Sequence, residues 1–178
     1  MRWRPPESRP DRAARAEPEG VGYKGGMAEG ACDVWFYHLE RTGLDQALPE
    51  LLEKTLQRGW KALVRSAEPG RIEHLDGWLW SYRDDSFLPH AAAGEPDAAR
   101  QPVLLSTGFD NPNRAEALFL LDGAEPGELS DFTRCLVLFD GADEGQLAAA
   151  RALWSRLKGQ GLPVAYWKQQ ARGWEKQA

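Results

Sequence analysis

From Asp33 onward the chain alternates between short apolar runs rich in aromatic and branched residues and longer stretches whose apolar positions recur every three or four residues. The run 33–39 (DVWFYHL) has the composition of a strand, and 44–58 then places Leu44, Leu48, Leu51, Leu52 and Leu56 at helical spacing. Residues 59–67 read as a second strand, so the opening is a β-α-β unit. Pro69-Gly70 breaks the chain before 71–81, where Ile72, Leu75, Leu79 and Trp80 are expected on one buried helical face. The runs 103–107, 117–121 and 134–139 are short, apolar and bounded by Gly, Pro, Asn or Asp, while 91–101 and 122–130 read as loops. Residues 143–158 form a helix stopped by the glycines of 159–161, and 163–167 is a closing strand.

Strands that alternate with helices imply parallel crossovers. About five strands and three or four helices predict a single three-layer α/β domain over 28–170, with a mostly parallel sheet and helices on both faces. Residues 1–27, rich in Arg, Pro, Glu and Gly, are expected to be a disordered extension, with Met27 as an alternative start, and 171–178 a C-terminal tail.

A length of 178 residues with 42% hydrophobic side chains supplies a packed core and excludes a wholly disordered protein. No run approaches the length of a membrane span and the opening stretch has no apolar signal region, so a cytoplasmic protein is expected. Cys32 and Cys135 are too few for a disulfide framework or a four-thiolate zinc site and are expected as reduced core residues. The net charge of −5 argues against a protein that coats a phosphate backbone. Positive charge gathers at the end: residues 151–178 carry six basic side chains and one acidic.

A doubly wound sheet invites a nucleotide, yet the chain has no G-x-x-x-x-G-K-[ST], and the turn after the first strand, ERTGLD, lacks dinucleotide glycine spacing. His38 reads as strand-end packing, His74 as a solvent-facing helix residue and His90 as a loop bridge. None of the three has ligand spacing. Asp84-Asp85 read as turn residues, and Ser106 and Ser130 have no base nearby. The helix 143–158 is more informative. Ala150, Leu153 and Leu157 form its buried stripe, and Leu147, Trp154, Lys158 and Arg151 follow along one edge spanning roughly 60°. That edge suits a ligand that is apolar at one point and anionic around it. The same pattern also fits a Trp154 that completes the core between two solvated cations.

Phe36-Tyr37, Leu75-Asp76, Leu79-Trp80, then Ser86-Phe87-Leu88-Pro89-His90 and Gly94 form one ordered pattern. The chain resembles the chi subunit family of bacterial DNA polymerase III from about Asp33 to Trp167. The resemblance implies a non-catalytic accessory subunit of the clamp-loader complex on a Rossmann-like sheet, with no cofactor and no metal. It implies that Arg151, Trp154 and Lys158, with Phe139 nearby, hold the acidic, phenylalanine-ending tail of single-stranded DNA-binding protein. DNA is then reached only indirectly. The position after the aromatic, commonly basic in the family, is Ser155, and Arg156 points to the other side of the helix. Phe87 is implied to meet the psi subunit, where one exists, and Trp80 and Leu88 are expected in the core. The alternatives are a small nucleotide-binding or hydrolytic enzyme and direct nucleic-acid binding by the basic C-terminal segment.

Overall fold

A computed structural model describes residues 31–178, so the extension expected over 1–27 lies outside the described residues. The elements run β1 (Asp33–Leu39), α1 (Leu44–Gln57), β2 (Ala62–Ser66), α2 (Pro69–Ser81), β3 (His90–Ala92), β4 (Val103–Ser106), β5 (Ala117–Leu121), β6 (Arg134–Asp140), α3 (Glu144–Gly159), β7 (Val164–Gln169) and β8 (Trp174–Lys176). A single sheet has the order β3-β4-β2-β5-β6-β1-β7-β8, parallel throughout except for the β7–β8 pair. Eight strands stand where about five were expected. β3 and β8 are three-residue edge strands, His-Ala-Ala and Trp-Glu-Lys, too short to carry a period. The segment 171–178, expected as a C-terminal tail, contributes the last of these strands. It turns at Gly173 and adds β8 to the sheet.

Strand alternation sorts the core into two layers. Val34, Phe36, Cys135 and Val137 face Leu147, Ala150, Leu153, Trp154 and Leu157 of α3. Tyr37, Val64, Leu136 and Leu138 face Leu48, Leu52, Leu75 and Leu79 of α1 and α2. Both cysteines are free and buried, and burial raises the Cys32 thiol to about 12 and Cys135 well above its ordinary range. Pro49 sits inside α1, where its missing N–H leaves the Asp45 carbonyl without its helical donor. The Trp78 indole N–H fills that place at 2.7 Å, which ties α2 to α1.

The α2 face departs from expectation at one residue. Leu75 and Leu79 are buried, as is Leu88 beyond the helix, but Trp80 is 56% exposed. A step of one residue from Leu79 turns the side chain about 100° away from the sheet. Trp80 lies instead against Phe87, ring centroids 5.7 Å apart.

Candidate functional site

Ligands of open parallel sheets sit at the carboxyl ends of the strands, beside the loop that leads into a helix. Here that loop is already filled. The backbone N–H groups of Glu40, Arg41 and Thr42 converge on Oε1 of Gln169 from β7, at 3.2, 2.9 and 3.0 Å. The amide Nε2 of Gln169 donates to the Thr42 hydroxyl at 2.5 Å. Three adjacent donors of the kind that cradle a phosphate are taken by an internal side chain. The neighbouring cavity, about 260 Å³, is lined by Asp45, Asp122 and Asp140. Its Arg71 is held by Asp122 at 3.0 and 3.1 Å. Burial works to raise the Asp122 pKa, but its bonds from Arg71 and Ser66 outweigh this and keep the carboxyl below its ordinary range. An acidic cavity beside a filled loop repels a nucleotide phosphate.

His38 ends β1 as a packed strand-end residue. It is stacked on Phe139 at 5.0 Å, and its Nδ1 lies 2.6 Å from the Tyr166 hydroxyl. A Cβ on Gly141 would come within 2.0 Å of Nε2, so only glycine fits there. Burial lowers the His38 pKa, with Glu40 opposing. The unfolded chain thus takes up this proton more readily than the folded one. The contribution of His38 is complete above about pH 6.5 and is lost as pH falls below it towards the depressed folded value. The melting temperature is expected to fall between about pH 6.5 and 5, and His38→Phe to flatten that slope. Equal slopes in the two proteins would show that the buried imidazole does not resist its proton.

α3 is capped by Asp143, whose side chain accepts the Gln146 N–H at 3.0 Å, while Gln146 Oε1 accepts the Asp140 N–H at 2.9 Å. The helix therefore leaves β6 in a fixed direction. Trp154 is only 2% exposed and meets Phe36 edge-on at 5.2 Å. Arg151 is half-buried on the same flank, and its Nε is buried with no hydrogen-bond partner. Lys158 places Nζ 5.9 Å from the centre of the Trp154 ring. The structure thus gathers Arg151, Trp154 and Lys158. Phe139 belongs to the same core layer, but the cavity it lines, about 120 Å³ with Leu153 and Arg156, opens on the other flank of α3. Arg156 is engaged there by Glu125.

Phe87 is 69% exposed and stands apart from α3, in the loop after α2. His90 anchors this loop, with Nδ1 2.7 Å from the Leu88 carbonyl oxygen and Nε2 2.9 Å from that of Asp76. His74 and Asp45 meet at 2.8 Å in a solvent-exposed pair. Sequence reasoning passed over Arg65, a guanidinium at 2% exposure inside the sheet. It also passed over Gln169, because a glutamine more than a hundred positions from the loop it fills leaves no local signal.

Among the described residues no helix is long and apolar enough to cross a membrane. The family model described as DNA polymerase III chi subunit, HolC, matches residues 32–165. A probable DNA polymerase III subunit chi from Rickettsia prowazekii is 24% identical over 103 residues, covering 58% of this chain and 62% of that protein. The DNA polymerase III subunit chi of Pseudomonas aeruginosa is 32% identical over 120 residues, covering 67% of this chain and 82% of that protein. The chain therefore spans less than two thirds of the Rickettsia relative. The family match covers both core layers, α3 and the Ser86–His90 block, and the chain belongs to the DNA polymerase III chi subunit family.

Proposed function

We propose that the chain is a non-catalytic adaptor that joins clamp-loader components of polymerase III to the acidic C-terminal tail of single-stranded DNA-binding protein. The carrying observation is Arg151. Its guanidinium is half-buried beside Trp154, has no ion-pair partner among the described residues, and holds Nε without a hydrogen bond. A planar donor fork in that state suits a terminal carboxylate better than an ammonium does. Lys158, with Nζ 5.9 Å from the centre of the indole, is placed to meet the acidic residues upstream of a terminal phenylalanine. Phe139 contributes from beneath as packing rather than as a wall of the site.

The filled β1–α1 loop supports this reading over a nucleotide enzyme. The test is titration calorimetry with a peptide of acidic residues ending in phenylalanine. The free acid is expected to bind and the C-terminal amide to lose most of that affinity. Equal binding of the two removes the carboxylate anchor.

Phe87 with Trp80 forms an exposed aromatic pair away from this flank, suited to a second partner of the psi type. Phe87→Ala is expected to cost under about 1 kcal/mol of stability, because the ring is already in water, and to leave peptide binding unchanged while weakening psi binding. A stability loss of several kcal/mol, read by thermal melts, would return Phe87 to the core.

A further inference from the structure

On the sheet face opposite α3, at the amino ends of the strands, a cleft of about 260 Å³ opens between the last turns of α1 and the β7–β8 hairpin. Its charged lining is Lys54, Arg58 and Arg134, with no carboxylate among the lining residues. Among the described residues none of these three is in an ion pair. The Arg134 guanidinium lies 3.6 Å from the centre of the Trp35 ring and 5.3 Å from that of Trp60, and Arg58 approaches the same Trp60 ring at 5.5 Å. Two cations thus share one indole. Burial and the nearby Arg58 both lower the Arg134 pKa, Asp33 opposes them only in part, and Arg134 Nε is buried without a hydrogen-bond partner. An anion placed here relieves a repulsion that the fold leaves standing. Four of the chain's eight tryptophans, Trp35, Trp60, Trp167 and Trp174, line the same cleft, each partly exposed.

We propose that this cleft binds a short run of single-stranded DNA, with bases against the indoles and phosphates on Lys54, Arg58 and Arg134. Cations alone suit any acidic chain. Partly exposed planar rings interleaved with cations match a polymer that presents a flat apolar face at every charged unit, which is the chemistry of single strands. The overall charge of −5 bears on proteins that coat a phosphate backbone, whereas a site of three cations asks for a few phosphates only. Trp174, on the closing strand, lies beyond residues 32–165, so this wall of the cleft is outside the family match. The site is on the opposite face from Arg151 and does not depend on the tail-binding reading.

The test follows the tryptophan emission of the full chain on titration with a short oligothymidylate, alongside a duplex of equal length and a polyglutamate peptide. Saturable quenching by the single strand is expected. The slope of log affinity against log salt should be near −2, from about −0.7 per neutralised phosphate and three cations. Lys54 and Arg58 are both exposed, and the double variant Lys54→Glu/Arg58→Glu is expected to lose at least about tenfold in affinity. The variant should still melt cooperatively and bind the tail peptide as the wild type does. No quenching by the oligonucleotide, equal affinity for the duplex or polyglutamate, or unaltered binding in the double variant each overturns the proposal. Should the variant unfold, the wild-type chain still decides: a salt slope flatter than about −1 excludes a three-cation phosphate site.

Discussion

Arg65→Ala is expected to destabilise the protein by about 4 kcal/mol, roughly 8–16 °C in melting temperature for a chain of this length. The side chain leaves β2 on the α3 face and makes no ion pair among the described residues. All of its bonds go to backbone carbonyls. Nε donates to Gly108 at 2.7 Å and the terminal nitrogens to Phe109 at 3.2 Å, Pro126 at 2.8 Å and Glu125 at 3.3 Å. Those acceptors belong to two loops, the β4–β5 and β5–β6 connections, which have no helix of their own to anchor them. Phe109 covers the guanidinium at 5.0 Å, and a Cβ on Gly127, which sits at φ +60°, would come within 2.7 Å of that ring. Alanine would leave up to four acceptors without a donor and a void beneath the phenyl ring. Arg65→Lys keeps the charge but presents a single point of donation that cannot hold both loops, so it should recover only part of the loss. Urea melts of the three proteins decide the matter. An alanine variant within about 1 kcal/mol of wild type would mean that water replaces the guanidinium without cost.

Arg151→Ala is expected to weaken binding of the acidic, phenylalanine-ending peptide by about 2–5 kcal/mol, between roughly 30-fold and several thousand-fold. Lys158→Ala, at the exposed rim, should cost under about 1 kcal/mol and mainly flatten the salt dependence. Ser155 supplies no charge, so on the proposed reading Arg151 is the principal cation for the carboxylate. Amidating the peptide should reproduce the Arg151 loss, and the combination should cost no more than either change alone. Additive penalties in that double-mutant cycle would show that guanidinium and carboxylate do not meet. The Arg151 variant should melt within a few degrees of wild type, since among the described residues its guanidinium forms no ion pair and its Nε no hydrogen bond.

Elements whose stability comes from their own periodicity were legible in the amino-acid sequence. α1, α2 and α3 and the buried strands β1, β2, β4, β5, β6 and β7 each carry enough apolar residues at a recognisable spacing to declare a buried face. The family could be recognised for a similar reason, since the Ser86–His90 block is local in the chain, and the shared flank of Arg151, Trp154 and Lys158 follows from helical geometry alone. Features that depend on the meeting of distant segments were decided by the tertiary structure. β3 and β8 exist because a finished sheet offers edges to short segments. Trp80 is outside because the sheet, not the helix, determines which arc of α2 is covered. Phe139 lines a small cavity with Leu153 and Arg156 while Trp154 is packed edge-on against Phe36, which only the seating of α3 on the sheet decides. Gln169 fills the β1–α1 loop and Arg65 holds two loops through bonds that span more than 40 positions. Hydrogen bonds of that range leave no pattern along the chain, because their partners are specified by where the backbone passes rather than by the residue types beside them.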